Sequence, residues 1–284
     1  MNTMMKPDLH MHSTYSDGVL TPAQLVERAA STGVTAMAIT DHDTFAGIDT
    51  LQGVSTAIPV IPGVELSLKD MHGLHLLGYG LAAAPELRRT VADLAAKRLT
   101  RAQTMVSRLA SMGMPLNWHA MTSGYSGTLG RAHIARALLE QGYVISLQEA
   151  FDKYLGEGKP AYAAGERLSM AEALPLMRRS GFVPVLAHPA LLCKDDLTLR
   201  TLIAHWQTQG LMGVEVYHPT LLGRTAALEH MVRSMGLLVT GGSDFHKDGD
   251  GHGAPCCICQ EWAEAPQDMA RLMDALQKEK FAEI

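Results

Sequence analysis

The feature that most constrains this chain is a rhythm. Short β-branched or apolar runs alternate with helix-patterned segments, and nearly every run ends on histidine or carboxylate. A first run leads into Asp8-Leu9-His10-Met11-His12. Thr21-Pro22 then opens a helix: Thr21 suits the cap, Pro22 the first helical position and Gln24 the capping-box partner, with Gly33 as the stop. Val34–Ile39 reads as a buried strand ending at Thr40-Asp41-His42-Asp43. Further strands are expected at Val60–Leu66 (with Glu65), Leu74–Tyr79 (with His75), Val183–Ala187 (before His188), Val214–Tyr217 (before His218) and Leu237–Thr240 (before Asp244 and His246). Helices at Ser169–Ser180, Leu197–Gln209 and Thr225–Met235 separate the later strands, and Pro266–Lys280 reads as a last helix. Strand–helix alternation implies parallel strands joined by right-handed crossovers. Seven such strands suit a closed or nearly closed barrel.

The rhythm breaks once. Between Leu81 and Leu168 the helices Pro85–Met112, Leu129–Gln141 and Ser146–Leu155 succeed one another with no strand between them. The expected division is therefore a barrel built from residues 1–82 and 168–284, with a helical, substrate-binding insertion over its mouth at 83–167.

In a parallel barrel the strand ends meet on one face, so His10, His12, Asp41, His42, Glu65, His75, His188, Asp244 and His246 should converge. His10 and His12 point to one side of an extended chain while Met11 points away, and Asp244-Phe245-His246 repeats that geometry. Imidazoles and carboxylates without thiolates suit Mn²⁺, Zn²⁺ or Fe²⁺. His72, His119, His205, His230 and His252 stand outside the pattern and read as ordinary polar residues. Cys256, Cys257 and Cys259 lack a partner pair at zinc-finger spacing and are expected to be buried free thiols, which suits a reducing, cytoplasmic setting. No signal peptide or membrane-spanning run is apparent. A net charge of −5 supplies no general basic field for long duplex DNA.

The chain resembles the polymerase and histidinol phosphatase (PHP) family. The resemblance rests on Asp8-Leu9-His10-Met11-His12-Ser13, Ser16-Asp17-Gly18, Thr40-Asp41-His42-Asp43, Pro62-Gly63-Val64-Glu65, His75, Ala187-His188-Pro189 and Gly242-Ser243-Asp244-Phe245-His246. It implies an α/β fold, a distorted seven-stranded (β/α)7 barrel, TIM-like, holding two or three divalent ions, Mn²⁺ foremost with Zn²⁺ or Fe²⁺ as alternatives. It also implies three ligand sets: His10, His12, Glu65 and Asp244; Glu65, His75 and His188, with Glu65 bridging; and Asp17, His42 and His246. The implied chemistry is phosphate ester hydrolysis, centred on Asp17, His42, Glu65 and His246. The run Gly130–Arg136 and Gly158–Tyr162 further resemble a bacterial subgroup of the family. That subgroup contains a phosphatase of 3′,5′-bisphosphonucleotides and a 5′-to-3′ exonuclease on short RNA, and histidinol phosphate is the substrate of another branch.

Expected partners are thus a small phosphorylated nucleotide or a short oligonucleotide, with neither long duplex DNA nor a membrane. Arg98 and Arg101, three apart on the long helix, can share a face. Arg131 and His133 open the next helix, a favourable place for phosphate. Ser13, Lys159 and His218 complete the expected substrate contacts.

Overall fold

The computed structural model describes residues 5–81, 83–122, 129–221, 223–249, 253–259 and 261–281. Seven strands form one sheet in chain order: β1 (Pro7–Asp8), β2 (Ala36–Ile39), β3 (Val60–Ser67), β4 (His75–Gly80), β5 (Phe182–Leu186), β6 (Gly213–Tyr217) and β7 (Leu238–Gly241). The sheet nearly closes beyond its ends. Leu9 N–H donates to the Gly241 carbonyl at 3.0 Å, Asp244 N–H to that of His10 at 2.8 Å, and His12 N–H to that of Phe245 at 2.9 Å.

One expectation is corrected. The strands are not all parallel, because β4 runs antiparallel to both β3 and β5. The cause is length: Ser67 ends β3 and His75 begins β4, and so short a link cannot make the crossover of roughly a dozen residues that a parallel neighbour requires. The reversal matters for the site. His75 starts its strand, yet pairs with Ser67 at the end of β3, so it still lies at the barrel mouth.

Helices cover the barrel: α1 (Pro22–Ser31) and a short turn α2 (Ala46–Asp49) in the first half, and α7 (Met170–Arg179), α8 (Asp196–Thr208), α9 (Thr225–Ser234) and α10 (Ala265–Phe281) in the second. The capping boxes read at Thr21/Gln24 and Ser169/Glu172 both form. Between β4 and β5 lie α3 (Pro85–Ser111), α4 (Trp118–Thr122), α5 (Arg131–Glu140) and α6 (Leu147–Ala150), the last running into a π turn at Phe151–Leu155. The short helices α2 and α4 have no clear apolar period and escape the sequence reading.

Two apolar clusters result. The larger fills the barrel and its helix layer. The smaller joins Met105 and Leu109 of α3, Ile134 and Leu138 of α5, and Leu155. Helix α3, about 40 Å long at 1.5 Å per residue, serves both: Leu87 and Val91 belong to the barrel cluster, Ala102 and Met105 to the smaller one. All four cysteines are free, but only Cys259 is buried; Cys256 is half-buried and Cys257 exposed, which corrects the expectation of buried thiols. Among the described residues no helix is long and apolar enough to cross a membrane.

Candidate metal centre

Met11 and Phe245 are fully packed in the core, which turns the residues flanking each toward the barrel mouth. His10 and His12 thereby face Asp244. His10 Nε2 lies 3.3 Å from Glu65 Oε2 and 3.2 Å from Asp244 Oδ1, and His12 Nε2 lies 3.2 Å from each of the same two oxygens. Glu65 Oε1 points the other way, 2.9 Å from His75 Nδ1 and 3.0 Å from His188 Nε2, and those two nitrogens are 3.2 Å apart. Asp17 gathers the rest, with Oδ1 3.1 Å from His246 Nε2 and Oδ2 3.8 Å from His42 Nε2. His42 Nδ1 is 3.0 Å from Glu65 Oε2. All the residues of the three expected ligand sets therefore meet, with Glu65 in the middle.

The donor set fits divalent cations. It contains only imidazole nitrogens and carboxylate oxygens. His10 Nε2, His12 Nε2 and Glu65 Oε2 are buried and make no hydrogen bond, although they crowd one another. Buried polar atoms in that condition call for a partner such as an ion.

Electrostatics divide the cluster. Burial alone would raise the pKa of Glu65, but His42, His10 and His75 hold it well below the carboxylate range. Asp17 is likewise held low against its burial by His42 and His246. Burial disfavours a charged His12, yet Asp244 and Glu65 raise it to about 10. His42 goes the opposite way: burial brings it down to about 4 despite Glu65 and Asp17.

The supporting loops are tied by buried carboxylates that do not face the cluster. Asp8 accepts from Ser243 N–H at 2.9 Å and Cys256 N–H at 3.0 Å. Asp41, grouped by position with the converging residues, instead accepts from the Ser13 N–H at 2.7 Å and from the Ser13 and Ser16 hydroxyls at 2.6 and 2.7 Å. Asp43 accepts from Ser67 N–H at 3.0 Å and pairs with Arg98. Strain collects here: Asp43, His188 and Asp244 have φ of +50°, +28° and +54°, values a non-glycine residue adopts only when its surroundings impose them. Gly242 permits a close approach, since a Cβ there would stand 2.3 Å from that of His10.

The residues expected to hold substrate separate into two groups. Arg101, Arg131 and Lys159 line one cavity of about 620 Å³ with Lys69, His72, Tyr162 and Arg167. Arg131 lies over the rings of Phe151 and Tyr162, and Arg101 over Tyr162. Among the described residues no carboxylate comes within ion-pair distance of Arg101, Arg131 or Arg167. The second group faces inward. Ser13 is fully buried against Asp41, and Arg98 is mostly buried between Asp43 and the Ser67 hydroxyl at 3.3 Å. His133 is buried near Asp17, and His218 Nε2 is 3.6 Å from Asp244 Oδ2.

Sequence reasoning missed three participants. Arg167 and Lys69 are single cations in loops, their place at the cavity visible only once the chain is folded; Lys69 also pairs with Glu172 at 2.9 Å. Glu215 is fully buried with one oxygen 3.0 Å from His10 Nδ1; its signal was a carboxylate amid Val214 and Val216 in an otherwise apolar strand.

The chain is similar to known proteins. The 5′-3′ exoribonuclease Rnm of Salmonella typhimurium is 34% identical over 254 residues, covering 84% of this chain and 85% of the relative. The 3′,5′-nucleoside bisphosphate phosphatase of Chromobacterium violaceum is 31% identical over 268 residues, covering 87% and 90%. A solved structure described as an amidohydrolase from Chromobacterium violaceum, with bound sulfate and no metal, superposes with a TM-score of 0.79 at 30% identity, covering 94% of this chain and 96% of that one. The model of the PHP domain matches residues 8–283, and with that span and those likenesses the chain belongs to the PHP domain family.

Proposed function

We propose that this protein is a metal-dependent phosphoesterase that removes the 3′-phosphate of a 3′,5′-bisphosphonucleotide, such as adenosine 3′,5′-bisphosphate, leaving the 5′-monophosphate. The observation that carries the reading is that Arg101, Arg131 and Arg167 share a cavity with no carboxylate at ion-pair distance among the described residues, although Asp152 and Glu157 also line it, in addition to the histidine–carboxylate cluster. Two separate places for an anion match a substrate with two phosphates. The relatives supply the precedent: one is a nucleoside bisphosphate phosphatase, the other a 5′-3′ exoribonuclease.

Three sets of ligands would hold divalent ions, Mn²⁺ foremost: His10, His12, Glu65 and Asp244; Glu65, His75 and His188; and Asp17, His42 and His246. When bound, such ions supply Lewis-acid activation of water and neutralise charge on the phosphoryl oxygens. The chain's own part begins with Glu65, whose two oxygens face opposite ways and so tie two ligand sets together. Asp17, His42 and His246 form, with Glu65, the side of the cluster to which we assign the reaction. Arg101, Arg131 and Arg167 bind the phosphate that does not react, because a guanidinium fork matches phosphate oxygens and stays charged. The helical stretch 83–167 acts as the substrate-binding insertion, since it furnishes Arg101, Arg131 and Lys159.

A second reading is 5′-to-3′ removal of nucleotides from short 5′-phosphorylated RNA. It is favoured by the extent of the cavity, which continues from the arginines to Lys69 and His72. The deciding assay measures phosphate release from adenosine 3′,5′-bisphosphate with Mn²⁺, alongside short 5′-phosphorylated RNA and histidinol phosphate. Rapid, chelator-sensitive release from the bisphosphate supports the first reading. Stepwise mononucleotide release from RNA with a slow bisphosphate reaction replaces it with the second. Preference for histidinol phosphate refutes both.

A further inference from the structure

Glu215 lies within β6 and is fully buried, with no lysine or arginine at ion-pair distance among the described residues. Burying an ionised carboxylate is costly unless its oxygens are fully used. Here both are. Oε1 is 3.0 Å from His10 Nδ1, and Oε2 accepts the backbone N–H of His188 at 2.7 Å. These contacts reach two different ligand sets, since His10 faces Asp244 and His188 faces Glu65 Oε1. The two partners also share a need. His10 must present Nε2 to the cluster, where Glu65 and Asp244 oxygens lie at 3.3 and 3.2 Å, and it can do so only if its proton is on Nδ1. His188 must hold a left-handed backbone, φ +28° and ψ +59°, at the point where the chain leaves β5. A carboxylate bridging the two supplies both conditions from one rigid strand position.

We propose that Glu215 is the positioning residue that couples the first and second metal positions, fixing the His10 ring as the Nδ1–H tautomer and pinning the backbone of His188. The inference rests on the metal reading above. It extends it by making a residue outside the three ligand sets responsible for the affinity of two ions together. His12 is held differently: its Nδ1 meets the Ser16 hydroxyl at 3.3 Å and lies 3.8 Å from Asp17 Oδ1, with no carboxylate at hydrogen-bond distance of that nitrogen among the described residues. Carboxylates that hold metal-ligating histidines in this way change metal affinity by roughly 10–100-fold when removed. Gln at 215 is nearly isosteric, but its amide nitrogen cannot accept a hydrogen bond, so it can serve His10 or His188 and not both.

The test is titration calorimetry of the metal-free full chain with Mn²⁺, for wild type and Glu215→Gln, with thermal melting of both metal-free proteins. The expected result is a loss of affinity for two ions of roughly 10–100-fold, with the metal-free melting temperature little changed, because the near-isosteric amide keeps one of the two hydrogen bonds and no longer buries a charge. Unchanged affinity in the variant, beside tight binding by wild type, overturns the role of Glu215 and leaves the metal reading standing. A fall in affinity accompanied by a matching loss of metal-free stability overturns it too, since that is the mark of a merely structural residue. No Mn²⁺ binding by wild type overturns the metal reading and this inference together. A second measurement needs no variant: nitrogen-15 spectra of the Zn²⁺-loaded wild type should show His10 protonated at Nδ1, and a proton on Nε2 refutes the assignment.

Discussion

At the scale of single residues, the centre is organised around side chains whose partners are already fixed. Asp244 stands 3.2 Å from both His10 and His12 in a left-handed backbone conformation. Asp244→Asn keeps the shape but removes the charge that balances a cation, so bound metal measured by elemental analysis should fall, with phosphatase activity down by about two orders of magnitude or more. Full activity with full metal content would refute the ligand assignment. Arg131 tests the other half of the site. Arg131→Ala should lower kcat/KM by about 10–100-fold, the equivalent of losing one charged hydrogen-bonding group of roughly 1.5–3 kcal/mol. Its metal content should be unchanged. Gly165→Ala approaches the same cavity from the backbone: the added Cβ would stand 2.7 Å from Arg101 Nη1 and 2.9 Å from its Cδ, so the guanidinium must move. A raised KM with intact metal binding is expected; identical kinetics would mean that Arg101 does not grip substrate.

Among the elements, the helical stretch has its own apolar cluster, so part of it can be loosened without touching the metal cluster. Leu109 is fully buried within that cluster. Leu109→Ala should cost about 2–5 kcal/mol through lost burial and the cavity left behind. Proteolysis should then cut the segment between β4 and β5 first, and Mn²⁺ affinity should change little; early cleavage within the barrel would contradict separate packing. The elements also show where sequence is and is not enough. The His10-Met11-His12 geometry is legible because strand alternation is local: Met11 packs, and its neighbours must face the other way. The direction of β4 escapes a reading by rhythm, because an apolar run looks the same in either direction and Leu74–Tyr79 passes for one more repeat. Arg98 and Arg101 share a helix, but only the docking of α3 on the barrel sends Arg98 to Asp43 and leaves Arg101 at the cavity.

For the whole molecule, the close packing of histidines and carboxylates links metal, protons and stability. In the metal-free protein His12 is raised from 6.5 to about 10, and a group raised on folding stabilises fully below its unfolded value and ceases to as pH passes its folded one. His42, brought down to about 4, opposes folding once pH drops below 6.5. The metal-free protein should therefore be most stable near pH 6.5, losing stability between about 6.5 and 10 on the alkaline side and between about 6.5 and 4 on the acid side. Mn²⁺ competes with the protons on these nitrogens, so the melting-temperature gain on adding Mn²⁺ should grow as pH rises from about 6 to 8. A gain independent of pH would mean that the ions bind elsewhere.

By itself the sequence determined the repeating strand–helix units, the helix caps, the break between Leu81 and Leu168 and the histidines and carboxylates at the strand ends, because each of these is written in local periodicity and in the residues that close each apolar run. The tertiary structure alone decided the reversal of β4, the division of the arginines between buried ion pair and open cavity, and the places of Glu215, Lys69 and Arg167. Those depend on which distant segments come to lie within a few ångströms of one another, and no local pattern of side chains encodes that distance.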